Sequence, residues 1–327
     1  MGYRIEIDAA PAYELYPSLL AYLGKDKSFD RGPSWVREVR KGLDEDLSGE
    51  LKQLGKQVVL GDSKRKLSDN PLFQLIWLLP PLIRDCPEDR SVSGFLRWLE
   101  GLSSGDLYER AAERLPEGMF LPAGIGGVRD RAVSLLRRWD RQYLSRLDSA
   151  VWEHLQRDAE RKRRRFDSLK PVELIEEATN GLWLSPAEKD VTVLLVPQVH
   201  CVPANLYERY KDLLFIQYPC ELPSGEGNPP TSLLRMARSL ADKNRLRILR
   251  YLSGGPRSFM EIVRHTGLAK STVHHHMVSL RSAGLVRMML EKERNEARYA
   301  LRREVPDRLH GLLAEYLKGE NRPSDPP

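Results

Sequence analysis

Residues 233–301 are divided by backbone punctuation so closely spaced that few folds are open to them. Leu233 to Leu252 carries Leu234, Ala237, Leu240, Leu246, Ile248, Leu249 and Leu252 in a broadly helical pattern, and Gly254-Gly255-Pro256 stops it. Ser258-Phe259-Met260-Glu261 then has the form of a capping box, in which a hydroxyl and a carboxylate satisfy exposed amides at a helix start. That start predicts a short helix to about Thr266, with Ile262 and Val263 on its apolar side. Gly267 permits a tight turn. Beyond it Val273, Met277 and Leu280 recur at i, i+4 and i+7, which predicts a helix with these residues inward. Lys270, Ser271, Thr272, His274, His275 and Arg281 then lie largely on its other faces. Gly284 ends that helix. Val286, Met288 and Leu290, then Tyr299 and Leu301, alternate on either side of a polar turn from Lys292 to Glu296, as in a hairpin. Helices, a donor-rich helix and a β-hairpin predict a winged helix-turn-helix.

Charge separates this region from the rest of the 327 residues. Residues 1–230 hold 33 Lys and Arg against 36 Asp and Glu, a net of −3, whereas residues 231–327 hold 19 against 10, a net of +9. A segment with that excess attracts a polyanion, and double-stranded DNA is the first candidate. The breaker-rich run from Leu222 to Ser232 predicts a linker at 223–232 between residues 1–222 and 233–327.

The upstream residues read as mostly helical. Tyr3, Ile5 and Ile7 alternate as in a short strand, and Ser34–Lys56, Pro71–Ile83 and Ser91–Leu115 read as helices. From Val128 to about Phe166 there is neither Pro nor Gly. Leu135, Trp139, Tyr143, Leu147, Val151 and Leu155 recur there every four residues, which predicts one long helix. Its basic end, Arg161 to Arg165, reads as a solvated face complementing the helix terminus, with phosphate contact as the alternative. Val191–Val196 and Leu213–Tyr218 are short apolar runs beside prolines and predict a small sheet near 183–218. The expected fold class is mainly α with small β elements: a helical amino-terminal domain plus a carboxyl-terminal winged helix-turn-helix domain.

Leu240-Ala241-Asp242-Lys243-Asn244-Arg245-Leu246-Arg247-Ile248-Leu249, then Ser271-Thr272-Val273-His274-His275-His276-Met277, Ala283-Gly284-Leu285-Val286 and Tyr299-Ala300-Leu301 together resemble the ArsR-type winged-helix repressors. The resemblance covers about 75 residues in order and does not extend to residues 1–230, although some relatives also carry a long amino-terminal extension. It implies a homodimer formed by the first and last helices of the domain. It also implies that the helix beginning near Lys270 enters the major groove while the hairpin reaches the flanking backbone. Ser271, Thr272, His274 and His275 fall on its DNA-facing positions. Two residues depart from the pattern: Ala269 stands where a capping Ser is common, and His274 replaces a commonly small residue. Independently of the resemblance, Lys270, Ser271, Thr272, His274 and His275 can donate to phosphates or base edges, and Arg294 and Arg298 of the hairpin suit phosphate. Their alternative is a merely solvated surface. His276, three residues after Val273, is expected to pack beneath the helix.

Other chemistries find less support. Consecutive helical residues are about 100° apart, so His274-His275-His276 does not converge on one ion. Metal-sensing relatives use cysteines in the helix before the recognition helix, or Asp and His pairs in the last helix. Phe259–Thr266 has no Cys, and Asp307 and His310 lack a second His. No metal and no cofactor are expected. Gly124, Gly126 and Gly127 read as a loop. His200-Cys201 hints at a thiol nucleophile without an identifiable orienting partner, so no catalytic residue is assigned. Cys86, Cys201 and Cys220 lie too far apart in sequence to suggest a disulfide framework and are expected to be reduced thiols. The longest apolar run, Leu72–Ile83, contains Pro80 and Pro81 and is shorter than the roughly 20 residues that span a bilayer. The opening residues do not form a secretory signal, so a cytoplasmic protein is expected.

The reading that follows is a homodimeric transcription regulator, a repressor, responsive to a small-molecule or other signal, with residues 1–222 serving regulation or dimerisation. Its alternative is an enzyme with an appended DNA-binding module. A winged helix used for protein contact fits the basic, polar recognition face poorly.

Overall fold

The computed structural model describes residues 3–24, 29–56, 70–115, 121, 124–166, 168–185, 191–225, 227–290 and 297–318. They fall into two compact units, each discontinuous in sequence: one takes residues 4–163 and 190–220, the other 1–3, 164–189 and 221–327. The single linker expected at 223–232 is therefore replaced by four passages of the backbone between units, the last between Cys220 and Glu221.

The first unit opens with strand β1 (Arg4–Ile7) and the helices α1 (Leu15–Leu23), α2 (Pro33–Lys41), α3 (Glu45–Gly55), α4 (Pro71–Trp77) and α5 (Leu79–Asp85). It continues through α6 (Val92–Gly101), α7 (Ser104–Ala112), α8 (Ile125–Gln142) and α9 (Ser149–Arg163). Side-chain caps start several of these helices. Asp44 accepts from Leu47 N at 2.8 Å, Asn70 from Leu72 N at 2.9 Å and Ser91 from Gly94 N at 3.1 Å. The apolar runs read as single helices at 34–56, 71–83 and 91–115 are each broken in two by such a start or by a tightened last turn.

The long helix expected over 128–166 is also broken. Tyr143 leaves helical geometry at φ −135° and ψ −67°, a 3₁₀ turn follows over Leu144–Arg146, and Leu147 is extended. Ser145 Oγ donates to Asp140 O at 2.9 Å, and Asp148 Oδ1 accepts from Ala150 N at 2.9 Å to begin α9. Ser and Asp here offer the backbone local partners that compete with the helical ladder.

After α9 the chain contributes α10 (Pro171–Ala178) and β2 (Leu182–Leu184) to the other unit, then returns with β3 (Thr192–Gln198), β4 (Leu206–Arg209) and β5 (Leu213–Pro219). The first unit's sheet has the order β1-β3-β5-β4, with β1, β3 and β5 parallel and β4 antiparallel to β5. Val193–Val196 of β3 are buried without alternation, as in a strand covered on both faces. Helical residues such as Leu47, Leu79, Phe95, Leu136 and Trp139 share one core with Leu194, Val196 and Phe215 of the sheet.

The second unit is completed by α11 (Thr231–Leu240), α12 (Lys243–Ser253), β6 (Arg257–Ser258), α13 (Phe259–Thr266), α14 (Lys270–Ser282), β7 (Val286–Leu290), β8 (Arg298–Leu301) and α15 (Val305–Leu317). Met236, Ile248, Ile262, Val273, Met277, Leu280 and Leu285 close its core. Its sheet order is β2-β7-β8-β6. The sheet expected near 183–218 is thus divided: β2 pairs with β7 of the hairpin, Leu182 opposite Met288 and Leu184 opposite Leu290, and not with β3 or β5. Among the described residues no helix is long and apolar enough to cross a membrane.

Candidate nucleic-acid interface

Local chemistry sets each helix of the interface. Asp242 caps α12 by accepting from Asn244 N at 2.9 Å and Arg245 N at 3.0 Å. The capping box at α13 is complete: Ser258 N donates to Glu261 Oε2 at 2.7 Å and Glu261 N to Ser258 Oγ at 3.3 Å. Gly267 turns the chain at φ 68°, a left-handed conformation in which a side chain would be strained. Ala269 supplies no side-chain cap to α14.

Val273, His276, Met277 and Leu280 face the core from α14, as the spacing predicts for all four. Lys270, Ser271, Thr272, His274 and His275 are exposed, and Arg281 is half-buried. At about 100° per residue, Ser271, His274, His275 and Val278 occupy the centre of the outward arc. Lys270 and Arg281 lie along one edge and Thr272 along the other. Val278, half-buried among these donors, was not singled out by the sequence because an apolar residue off the i, i+4, i+7 stripe carries no polar signal. The His274 ring meets the Phe259 ring edge-on with centroids 6.4 Å apart, so α13 orients it. His276 is buried with neither ring nitrogen hydrogen-bonded among the described residues.

In the hairpin, Val286 pairs with Leu301 and Met289 with Arg298. Arg298 Nη2 donates to Pro256 O at 2.6 Å, which ties the strand to the chain entering β6 and leaves the rest of the guanidinium to other partners. Arg294 lies outside the described residues.

The other edge of the hairpin is held by residues that the sequence reading assigned elsewhere. Asn180, at φ 55°, accepts through Oδ1 from Arg302 Nη1 at 2.8 Å and from Arg308 Nη1. Glu176 Oε1 lies 3.0 Å from Arg287 Nη2 and 3.3 Å from Arg302 Nε. Neither contact is aligned as a hydrogen bond, so the attraction is chiefly one of charge. Burial holds the Glu176 carboxyl above the usual range against the pull of Arg287 and Arg302. Burial also lowers Arg308, with Arg302 and Arg235 adding repulsion, to about 10.

The basic run Arg161–Arg165 is largely occupied within the protein. Arg161 and Lys162 donate to Asp158 at 2.6 to 2.7 Å, Arg163 donates to Ile7 O at 2.8 and 3.1 Å, and Arg165 lies 3.3 Å from Glu177.

His200 does have an orienting partner, contrary to the sequence reading. Its Nδ1 meets Glu14 Oε2, its Nε2 lies 2.9 Å from Tyr143 Oη, and Trp35 Nε1 donates to the same hydroxyl at 3.2 Å. Glu14 also accepts from Val199 N at 2.9 Å. Burial lowers His200 against the pull of Glu14, and it pushes Tyr143 up to about 12. His200, Glu14 and Cys201 are enclosed, and Cys201 Sγ donates to Pro17 O at 3.3 Å. This network braces β3 against α1 and the end of α8. Among the described residues no three His, Cys, Asp or Glu side chains are placed to hold a metal ion.

Residues 242–288, from the cap of α12 into β7, match the family described as bacterial regulatory protein, arsR family. They form an ArsR-family helix-turn-helix domain. The ArsR-family region is 39% identical over 71 residues to the HTH-type transcriptional regulator CmtR of Mycobacterium tuberculosis and of Mycobacterium bovis. That match covers 22% of this chain and 58% of CmtR, so the chain spans under two thirds of its curated relative. Among solved structures, a possible transcriptional regulatory protein (fragment 1–100) from Mycobacterium bovis is 29% identical, covering 27% of this chain and 91% of that one, with a TM-score of 0.22. Reduced HlyU from Vibrio cholerae is 28% identical over 26% of this chain and 87% of its own, with a TM-score of 0.21. Residues outside the domain, including α10 and β2, are an extension to it.

Proposed function

We propose that the chain is a sequence-specific transcription regulator that binds double-stranded DNA as a homodimer. The observation that carries this reading is the outward face of α14 in the ArsR-family domain, where five donor residues are exposed together. A helix of this size enters the major groove, where donors read base edges and cations hold phosphates. Ser271, His274 and His275 read bases, with Val278 against a thymine methyl and Thr272 at the flank. Lys270 and Arg281 hold the backbone, and Arg294 and Arg298 do so from the hairpin.

The homodimer is supported by α15. Leu309 and Leu312 pack inward, while Leu313 and Leu317, four residues apart, are 44% and 74% exposed. An outward apolar pair on one helix face suits a second copy of the same helix. We read the regulator as a cytoplasmic repressor whose other unit, residues 4–163 and 190–220, receives a small-molecule signal. The enclosure of Glu14, His200 and Cys201 supports a bracing role for them over a catalytic one.

In vitro selection of bound duplexes with the full chain tests the reading. The expected result is an inverted repeat whose half-sites lie about 34 to 36 Å apart, one DNA turn. A monomer that enriches no sequence refutes it.

A further inference from the structure

Although residues 1–230 are net acidic, five cations converge on one cleft of the first unit. The cleft measures about 800 Å³, lies among α1, α2 and α3, and is lined by Arg31, Arg37, Arg40, Lys52 and Lys56, with no carboxylate among the described residues that line it. Its floor is apolar: Leu23 and Leu51 are buried, and Val36 is half-buried. The volume falls within the roughly 300 to 1,000 Å³ of small-molecule sites.

Among the described residues none of the five is paired with a carboxylate, and Glu38, which is close in sequence, is paired with Lys41 at 2.8 Å outside the lining. Arg31 is held in place: its Nε donates to Val199 O at 3.3 Å and its guanidinium lies 5.5 Å from the centre of the Trp35 ring. Like charges gathered over an apolar floor repel one another and focus a positive potential into the cleft, which an anion relieves. Guanidinium groups bind carboxylate and phosphate oxygens through paired donors.

We propose that this cleft binds an amphipathic organic anion, its carboxylate or phosphate head on the arginines and its apolar body on the Leu23, Val36 and Leu51 floor. Use of that ligand as the signal for DNA release rests on the regulatory reading above, whereas binding itself does not.

Titration of the full chain, without DNA, with 11-(dansylamino)undecanoic acid reads the site by dansyl fluorescence. The expected result is saturable binding of one probe per chain, weakened by salt, with the uncharged methyl ester binding at least tenfold more weakly. The double variant Arg37→Glu and Arg40→Glu alters two exposed side chains and is expected to lower probe affinity at least tenfold with circular dichroism unchanged. Lys52→Ala, also exposed, supplies a second variant with a smaller loss in the same direction. Equal binding of acid and ester, an unaffected double variant, or displacement of the probe by random duplex DNA overturns the proposal. Probe binding that leaves operator affinity unchanged supports the site and removes its role in regulation.

Discussion

Asn180 ties the segment between α10 and β2 to the end of β8 and to α15 in the second unit, and its replacement has a sign that depends on what replaces it. Its Oδ1 accepts from both Arg302 and Arg308. Arg302 retains a contact with Gly284 O at 3.3 Å and the charge of Glu176, so loss of the acceptor falls mainly on Arg308, which is lowered to about 10 by burial and by neighbouring arginines. A hydrogen bond to a charged group contributes about 1.5 to 3 kcal/mol. Alanine at the left-handed φ of 55° adds roughly 1 kcal/mol of backbone strain, since Asn tolerates this region better. Asn180→Ala therefore costs about 3 kcal/mol in the second unit. Asn180→Asp keeps the backbone preference and turns the bonds from two guanidinium groups to a neutral amide oxygen into ion pairs with a carboxylate, which adds the attraction of opposite charges. Repulsion from Glu176 offsets part of that gain, leaving about 1 kcal/mol of stabilisation. Hydrogen exchange followed by mass spectrometry resolves the two units. In Asn180→Ala, exchange through β7 and α15 should accelerate roughly a hundredfold, with α8 of the other unit as reference. Unchanged protection in β7 and α15, or damage from Asp equal to that from Ala, refutes the reasoning.

Three further outcomes are expected. Burial depresses His200, so its stabilising effect on the first unit is present at neutral pH and is lost as pH falls below the ordinary value of about 6.5; exchange protection in β3 should drop over that range, and His200→Gln should flatten the dependence. A pH slope identical in both proteins contradicts the assignment. Leu313→Glu with Leu317→Glu should yield monomers in sedimentation and lower operator affinity at least tenfold, whereas a persisting dimer places the interface elsewhere. Thr272→Ala and His274→Ala should change base preference in binding assays, while Lys270→Ala should weaken selected and random duplexes alike and reduce the salt dependence by about one ion per protomer; uniform effects from all three refute the division of roles.

Much of the ArsR-family domain was legible because its signals are local. A capping box spans four residues, Gly267 and Gly284 each answer to one backbone angle, and the Val273, Met277, Leu280 stripe fixes the outward face of α14 by geometry alone. What the sequence left hidden is non-local. Leu182–Leu184 is an apolar strand in any setting, and nothing within it names Met288–Leu290, over a hundred residues away, as its partner. Glu14 and His200 meet across 186 positions, so the orienting carboxylate could not be found by looking beside the histidine. The break after Gln142 escaped notice because the apolar four-residue rhythm continues across it, whereas Ser145 and Asp148 end the helix through hydrogen bonds. Arg161 and Lys162 read as part of a solvated basic face because charge counting along the run does not include Asp158, one turn back, which holds both of them.

If α14 lies in the major groove of a specific duplex, a crosslink from its outward face will reach a base there. Cys86, Cys201 and Cys220 are buried, so a thiol introduced at exposed position 275 by His275→Cys is labelled selectively with a benzophenone reagent. Irradiation of the labelled full chain with the selected duplex should join residue 275 to a base within a half-site, at a major-groove atom. The same label introduced by Tyr108→Cys, at an exposed position of the other unit, serves as the reference and should give no crosslink at the half-sites. Equal crosslinking from both positions, or none from 275 while the duplex remains bound, contradicts the account.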